Sequence, residues 1–292
     1  MTANNSSTQH ECGSVAARRA RDMILAAALA MASIGGTVRG QGASHGPARV
    51  APLNTLTRAE RAEGWTLLFD GRSLRGWRGL GYAGIPAEHW KVEDGAIKKV
   101  STKTVSKDSS GKPVAGGDLM TVATFRNFEL AWDWRMSPVG NSGVKYNVSE
   151  ALSIGVPETA MRPSTGHEGA SHSAIGFEYQ MIDDDRHSDG KLPTHRTSAL
   201  YDLITPNESK RVNAIGEWNH SVIKFVGNHG EHWLNGQKVV EYELGSPSFT
   251  ALVAASKYKT MPWFADRRTG HIILQDHGDE VYFRNIKLRE VP

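Results

Sequence analysis

The chain has 292 residues, of which 34 are Lys or Arg and 31 are Asp or Glu, so its formal net charge is +3. A charge this close to zero gives no indication of a nucleic-acid partner. Charged residues make up 22% and hydrophobic residues 39% of the sequence, which is typical of a globular protein and excludes bulk disorder. The single cysteine, Cys12, excludes an intrachain disulfide framework, a zinc site with several thiolates and an iron–sulfur cluster.

Residues 1–42 have the pattern of an export segment. Arg18, Arg19 and Arg21 precede an apolar run over residues 23–36, which is shorter than the roughly 20 residues that a membrane-spanning helix needs. A basic flank, a short apolar run and small residues after it predict a secretory signal peptide. We therefore expect a periplasmic or secreted protein with no stable membrane span after processing. An uncleaved signal anchor is the alternative.

Residues 43–60 are predicted to link the export segment to the folded domain. The stretch from residue 42 to residue 52 holds Gly, Pro, Ser and Ala with no period, which is typical of flexible chain. Thr57 and Glu60 have the spacing of a capping box and predict one short helix over residues 57–63.

From residue 65 onward the sequence predicts short strands joined by tight turns. Residues 128–136 (FELAWDWRM) alternate apolar and polar side chains, which is the period of a half-buried strand. Asp94-Gly95 and Asn235-Gly236 each separate two such runs and indicate hairpins. Many short strands at this spacing predict one all-β domain over residues 61–292, a jelly-roll β-sandwich of two antiparallel sheets.

Two longer stretches, 103–117 and 149–173, do not have the pattern of strands. Loops of this length in a compact domain are usually functional or disordered, and on a sandwich they can wall a binding cleft. The second stretch contains His167 and His172, for which exposure to solvent is the default expectation.

Several short motifs occur in order along this predicted domain. They are residues 64–77 (GWTLLFDGRSLRGW), 90–95 (WKVEDG), 141–143 (NSG), 177–183 (FEYQMID), 199–201 (ALY), 216–219 (GEWN), 232–236 (HWLNG), 274–278 (LQDHG) and 283–286 (FRNI). In this order the motifs resemble the 3-keto-disaccharide hydrolase domain family, over about residues 62–291. The resemblance implies a concanavalin A-like jelly-roll sandwich, usually exported, that acts on glycosides carrying a ketone at sugar carbon 3.

Two polar positions are candidate catalytic residues. Glu178 and Gln180 are two residues apart on one predicted strand, so they share a face about 7 Å apart, while the apolar residues between and beside them face the core. His277 follows the strand that ends near Gln275, and an imidazole there can act as a general acid or base near pH 7. We therefore predict Glu178 and His277 as catalytic. The structural alternatives are a solvated polar face and a hydrogen-bonded turn histidine.

A further set of polar residues in these motifs is predicted to bind substrate: Gln180, Gln275, Asn141, Ser142, Lys145, Tyr201 and Asp276. Lys145 and Lys257 can polarise a carbonyl, and Tyr201 can stack on a sugar ring. Turn formation, solvent exposure and core packing are the structural alternatives for members of this set. In the turn after residue 182, Asp183 and His187 are candidate ligands of a divalent cation, with a plain acidic turn as the alternative. No other cofactor is expected.

The same residues bear on the reaction. A retaining glycosidase needs two carboxyl groups about 5 Å apart, whereas this strand carries Glu178 with Gln180 in place of a second carboxylate. A ketone at carbon 3 acidifies the hydrogen on carbon 2, so one base can remove it, the bond at carbon 1 breaks by β-elimination, and water adds later. If the substrate carries the ketone that the family resemblance implies, we expect an enzyme that cleaves an oxidised glycoside or oligosaccharide, with Glu178 or His277 as the base. A lectin-like carbohydrate-binding module and a structural protein of the cell envelope are the alternatives.

Overall fold

Short β-strands make up most of the regular structure in the part of the chain that the computed structural model describes, residues 52–155, 174–261 and 263–292. The strands are β1 (Thr66–Leu67), β2 (Trp77–Gly79), β3 (Trp90–Glu93), β4 (Ala96–Lys99), β5 (Leu119–Thr121), β6 (Phe125–Arg126), β7 (Phe128–Met136), β8 (Asn141–Val148), β9 (Phe177–Ile182), β10 (Asn219–Val226), β11 (His229–Leu234), β12 (Gln237–Glu243), β13 (Thr269–Leu274) and β14 (Val281–Glu290). The α-helices described are α1 (Arg58–Ala62), α2 (Glu150–Gly155) and α3 (Pro247–Ala255). Short 3-10 helices cover Ser188–Lys191, Pro193–His195 and Lys257–Thr260.

The strands pair antiparallel in two sheets. The large sheet has the order β12-β11-β10-β7-β14-β4-β3, and β1 is attached to β14. The small sheet has the order β2-β5-β13-β8-β9, and β6 is attached to β13. Neighbours such as β7 and β14 are far apart in the sequence, so the connections cross between the sheets. This confirms the predicted jelly-roll β-sandwich.

The facing sides of the two sheets bury a row of aromatic side chains. Trp132 of β7 meets Tyr179 of β9 edge-on, with 5.0 Å between ring centroids, and Tyr146 of β8 packs on Phe177 at 5.6 Å. Burying each such side chain stabilises the fold by roughly 1.5–3 kcal/mol. Because side chains alternate along a strand, the residues between these aromatics on β8 and β9 point to the outer side of the small sheet.

The tight turns lie where the sequence predicts them. Asp94 and Gly95, between β3 and β4, have φ values of 50° and 72°, and Asn235 and Gly236, between β11 and β12, have 48° and 82°. Positive φ at both central residues gives a type I′ turn, whose twist matches that of the flanking strands. Both predicted hairpins are confirmed.

The start of the described chain is attached to the sandwich. Thr57 and Glu60 form the predicted capping box at α1, and Glu60 also pairs with Lys287 of β14. Upstream of the helix, Asn54 is buried and donates its side-chain amide to the carbonyl of Gly95 at 2.8 Å. The last part of the predicted linker therefore has fixed contacts with the folded domain.

The two predicted loops differ in what the structure describes. Residues 103–117 form an irregular segment with an isolated bridge between Lys107 and Pro113, and the second stretch begins with helix α2. Residues 156–173, with His167 and His172, lie outside the described residues, as do residues 1–51 with the predicted signal peptide. Among the helices described, none has the length and apolar character needed to cross a membrane.

Candidate active site

The outer side of the small sheet carries two rows of residues that face away from the core. In one row Lys145 of β8 pairs with Glu178 of β9, and in the next Gly143 pairs with Gln180. Gln275 donates its backbone N–H to the carbonyl of Gly143 at 2.9 Å, which continues the second row past the end of β13. The register therefore brings together four residues that the sequence singles out, although they come from three separate segments.

Glu178 forms an ion pair with Lys145. The side chain of Glu178 is only 4% exposed, and its Oε2 lies 3.4 Å from Lys145 Nζ. Asp118, just before β5, is a second buried carboxyl group whose charge acts on Lys145. Burial alone would lower the pKa of Lys145, but Glu178 and Asp118 outweigh it and raise that pKa. Lys145 is therefore a firmly charged ammonium group beside Glu178.

Asp118 itself titrates in an unusual range. Burial raises the pKa of its carboxyl group to about 6, although the charge of Lys145 and a hydrogen bond from the Asp276 N–H, at 2.8 Å, work in the opposite direction. A carboxyl group with such a pKa is a feature of functional sites. The sequence gives no sign of it, because a lone Asp after Gly116 and Gly117 has the pattern of a loop residue.

Gly143 makes room for the Glu178 carboxylate. A Cβ atom at Gly143 would lie 2.8 Å from Glu178 Oε1 and 3.1 Å from the carbonyl oxygen of Tyr179. Both distances are shorter than ordinary van der Waals contact, so a larger residue would displace the carboxylate. Asn141 and Ser142 begin strand β8 together with this glycine instead of forming a turn.

A network of charges beside β9 fixes Tyr201. Its backbone N–H donates to the Glu178 carbonyl at 3.0 Å, and its hydroxyl donates to Asp189 at 3.0 Å. The ring of His195 stacks on Tyr201 at 4.3 Å, with Asp189 2.7 Å from Nδ1 and Asp202 2.9 Å from Nε2. Burial would lower the pKa of His195, but the two carboxylates outweigh it and raise that pKa. Sequence reasoning missed His195, Asp189 and Asp202, which no motif marks.

Lys257 approaches the same face from the 3-10 helix that it begins. Its Nζ lies 4.0 Å from the centroid of the Tyr201 ring, and its backbone N–H donates to Asp202 at 2.7 Å. Burial lowers the pKa of this amine to about 8; the charge of Glu178 opposes that shift and the charge of Lys145 adds to it. Lys257 therefore shares the electrostatic surroundings of Glu178.

His277 lies on the same side of the molecule as Glu178. Burial lowers the pKa of the His277 imidazole, and the charge of Glu178 acts in the opposite direction, so the two groups are close enough to interact. The ring of His187 is next to it, with 6.1 Å between ring centroids. Candidate ligand atoms of His187, His277 and Asp279 all lie within 4.8 Å of one another.

Asp183 and His187, the predicted cation ligands, have separate surroundings. Asp183 accepts the backbone N–H groups of Val139 at 2.9 Å and Arg186 at 3.2 Å, so its carboxylate holds the turn. His187 accepts the N–H of Asp189 at its Nδ1 atom, at 3.1 Å, and its other nitrogen is left for a second partner. A divalent cation here stays a prediction, for which His277 and Asp279 are nearer partners of His187 than Asp183 is.

Some of the predicted substrate-binding side chains are hydrogen-bonded within the protein, and others have a polar atom without a partner among the described residues. Gln180 accepts the N–H of Met181 at 3.0 Å, and Ser142 donates its hydroxyl to the carbonyl of Gln275 at 2.9 Å. By contrast, the side-chain oxygens of Gln275 and Asn141 are buried and have no hydrogen-bond partner among the described residues. Those two oxygens are the ones that can accept from a ligand.

Asp276 points into the protein. Its Oδ1 lies 2.9 Å from Nζ of the fully buried Lys99, and its Oδ2 lies 3.3 Å from Nδ1 of His89. Burial alone would raise the pKa of Asp276, but the hydrogen bond with His89 and the charge of Lys99 lower it to about 2. These contacts favour a structural role for Asp276 over the predicted contact with substrate.

The fold and this face define a class, an antiparallel β-sandwich with a buried cluster of charges on the outer side of one sheet. Within that class, residues 64–289 match the model of a family described as the 3-keto-alpha-glucoside-1,2-lyase-like domain. The chain is also 32% identical over 255 residues to a 3-keto-disaccharide hydrolase of Bacteroides thetaiotaomicron. The aligned region covers 82% of this chain and 83% of that protein. The chain therefore belongs to this family, and the resemblance found in the sequence is confirmed.

Two solved structures of candidate glycosyl hydrolases from Parabacteroides distasonis are similar to this one. The first is 32% identical, has a TM-score of 0.64 and covers 82% of this chain and 100% of its own. The second is 26% identical, has a TM-score of 0.53 and covers 78% of this chain and 99% of its own. Nearly the whole of each relative is thus represented in the described fold.

Proposed function

We propose that the protein is an exported enzyme that cleaves the glycosidic bond of 3-keto-glycosides or 3-keto-disaccharides by removal of the carbon-2 proton, elimination and net hydrolysis. Its family and its identity of 32% to an enzyme named 3-keto-disaccharide hydrolase make it a carbohydrate hydrolase. The observation that carries the finer proposal is the position of Glu178, a buried carboxylate in contact with a charged lysine on the outer side of the small sheet.

The charges around Glu178 suit a carbanion mechanism. Glu178 accepts the proton from carbon 2 as a general base, and the electron pair moves towards the carbonyl at carbon 3, whose oxygen becomes negative. The ammonium group of Lys145, 3.4 Å from Glu178, supplies a fixed positive charge for that oxygen. The electron pair then returns to form the double bond between carbons 1 and 2 as the carbon-1 oxygen departs with the proton held by Glu178, and water adds to that bond.

The charges at Glu178 support elimination by a single base. Glu178 is paired with the ammonium group of Lys145 at 3.4 Å, and Asp118, the second carboxyl group that acts on Lys145, has its pKa raised to about 6 by burial. A single base assisted by a lysine needs no carboxylate nucleophile, whereas a retaining glycosidase does.

The free oxygens at the end of this face offer contacts for sugar hydroxyl groups. The side chains of Gln275 and Asn141 each present a buried acceptor without a partner among the described residues. Leaving a buried acceptor unpaired costs about 1–3 kcal/mol, which a hydroxyl donor can recover. The two residues are therefore proposed to bind substrate, together with Tyr201 at the edge of the sheet.

The test is a product assay on 3-keto-lactose and 3-keto-trehalose beside lactose and trehalose, with and without chelator. We expect the oxidised sugars alone to be cleaved. Glu178→Gln keeps the size of the side chain and removes the base, so kcat should fall by about 10³-fold. Glu129→Gln is the matched control, because it neutralises a carboxylate on the large sheet and should leave kcat unchanged.

Two further results of this assay decide between alternatives. His277→Ala tests the second predicted base, and a loss as large as that of Glu178→Gln would give His277 an equal part in the reaction. Loss of activity in the presence of chelator would support a cation at His187. Full turnover by Glu178→Gln would remove Glu178 from the mechanism, and glycan binding without cleavage would favour a lectin-like module.

A further inference from the structure

Lys257 is a partly buried amine for which the described residues provide no ion-pair partner. Its Nζ lies over the rings of Tyr201, at 4.0 Å, and Tyr258, at 5.1 Å. Lys145 and Lys99, the other buried lysines near this face, each have a carboxylate within 3.4 Å. Among the described residues no carboxylate oxygen lies within 4.0 Å of Lys257 Nζ. Burying an amine without a counter-ion costs free energy, and groups in such surroundings are often found at functional sites. Lys257 is therefore a candidate for a role in the reaction.

The backbone around Lys257 is nevertheless firmly held. Its N–H donates to Asp202 Oδ2 at 2.7 Å, and the other oxygen of Asp202 is in contact with His195 at 2.9 Å. Ser256 accepts the N–H of Tyr258 at 3.1 Å and so caps the 3-10 helix. The surrounding network thus fixes the backbone from which this side chain extends, while no carboxylate of the described residues pairs with the amine.

The surroundings of the amine make its neutral form accessible near pH 7. Burial lowers the pKa of Lys257 to about 8; the positive charge of Lys145 acts in the same direction, and the carboxylates of Glu178, Asp202 and Asp189 oppose the shift. Burial and a neighbouring cation are the two conditions that turn a lysine into a nucleophile towards carbonyl compounds. Lys145, whose carboxylate partners keep it charged, cannot take this part.

We propose that Lys257 is a catalytic residue that attacks the carbon-3 ketone of the substrate and forms an iminium ion with it. This inference rests on the proposed function, since it requires a ketone. The nitrogen lone pair forms the bond to carbon 3, and the ketone oxygen leaves as water after it has taken one proton from the amine and one from solvent. Glu178 then removes the carbon-2 proton; that electron pair forms a double bond between carbons 2 and 3, and the C=N pair moves onto nitrogen to give an enamine.

The remaining steps restore the enzyme without any external oxidant or reductant. The enamine electrons expel the carbon-1 oxygen, which takes the proton held by Glu178, and leave a double bond between carbons 1 and 2 that is conjugated with the iminium. Water adds to carbon 3 and releases the Lys257 amine, a proton and the ketone, and a second water adds across the bond between carbons 1 and 2 to complete the hydrolysis. Because an iminium nitrogen is already cationic, it accepts the electron pair more readily than a neutral ketone does.

Trapping with sodium cyanoborohydride tests the inference. The whole protein is incubated with 3-keto-lactose and cyanoborohydride near pH 7, and peptides are mapped by mass spectrometry. We expect a reduced sugar adduct on Lys257 together with irreversible loss of activity. Lys257→Arg keeps the charge but cannot form the iminium, so it should carry no adduct at this position and lose at least about 10²-fold in kcat. Lys259→Arg, which changes an exposed lysine two residues away, is the matched control and should behave as wild type.

The outcomes separate this inference from the proposed function. Cleavage of 3-keto-lactose without an adduct on Lys257, or a wild-type rate in Lys257→Arg, would overturn the iminium and leave the proposed function standing. An adduct on Lys257 without any cleavage would support the nucleophilic amine and overturn the proposed cleavage.

Discussion

The outer sides of the two sheets both carry charged residues, but these residues differ in their exposure to solvent and in their ion pairs. On the large sheet, Glu129 lies 2.7 Å from Arg289 and 3.3 Å from Lys224, and all three side chains have contact with solvent. On the small sheet, Glu178 is 4% exposed and shares its surroundings with Lys145 and with Lys257, which has no carboxylate partner among the described residues. On the large sheet these charged residues are therefore paired and exposed to solvent. On the small sheet they are buried, and only some of them have an ion-pair partner among the described residues.

The two faces differ in how much their charged residues cost in folding free energy. Exposed ion pairs such as Glu129–Arg289 contribute about 0–1 kcal/mol each and need no special surroundings. Buried charges cost several kcal/mol unless they are paired. The small sheet keeps its charges on a scaffold of aromatic side chains that hold β8 and β9 in register. The asymmetry of the two faces, more than any one residue, supports the proposal that the small sheet carries the active site.

The largest effect on stability that we expect comes from Asp276, under the reactive face. Asp276→Asn leaves the fully buried Lys99 without its counter-ion, which should lower the free energy of unfolding by about 3–5 kcal/mol. Glu129→Gln on the large sheet should cost less than about 1 kcal/mol. Denaturant unfolding at pH 7 measures both. Equal costs in the two variants would mean that the two faces do not differ in the way described.

The pH dependence sharpens the same comparison. The pKa of Asp276 is lowered from 3.8 to about 2 in the folded protein, because the His89 hydrogen bond and the Lys99 charge outweigh burial. A carboxyl group with a lowered pKa stabilises the fold above its unfolded value and loses that contribution as the pH falls through its folded value. Wild type should therefore lose stability between about pH 4 and pH 2, and Asp276→Asn should lack that part of the acid limb.

A smaller effect, confined to activity, is expected at Gly143. Gly143→Ala would place a Cβ atom 2.8 Å from the Glu178 carboxylate and 3.1 Å from the carbonyl oxygen of Tyr179, so the carboxylate must move and strand β9 must shift by a few tenths of an ångström. We expect kcat on a 3-keto-glycoside to fall by about 10–100-fold, since a displaced base loses most of its advantage, with a small change in Tm. Wild-type kcat in this variant would contradict the role assigned to the position of Glu178.

Much of this architecture can be predicted from the sequence, for local reasons. The alternation in residues 128–136 and the turns at Asn235 and Gly236 predict strands and hairpins, because period and turn chemistry act over a few residues. The position of Glu178 outside the core follows from the same alternation on β9.

The missing parts of the site depend on contacts between distant segments. Lys257 reaches Tyr201 through a 3-10 helix that no motif marks. Asp276 follows β13 of the small sheet and turns inward to Lys99, which ends β4 of the large sheet. The direction of the Asp276 side chain is therefore set by tertiary packing. Gln180 is on the predicted face, but its amide oxygen binds the N–H of Met181, the next residue on its own strand. Neither periodicity nor spacing contains this information.

The most direct measurement follows the hydrogen on carbon 2 during cleavage. A 3-keto-disaccharide deuterated at carbon 2 of the oxidised ring is treated with enzyme in ordinary water, beside a control without enzyme, and the released keto-sugar is examined by NMR. Removal of that proton by Glu178 predicts that the deuterium is lost at the rate of cleavage and that cleavage itself is slowed by the heavier isotope. Product that keeps its deuterium, formed without an isotope effect, would show that the bond at carbon 1 breaks by direct displacement and would contradict the mechanism.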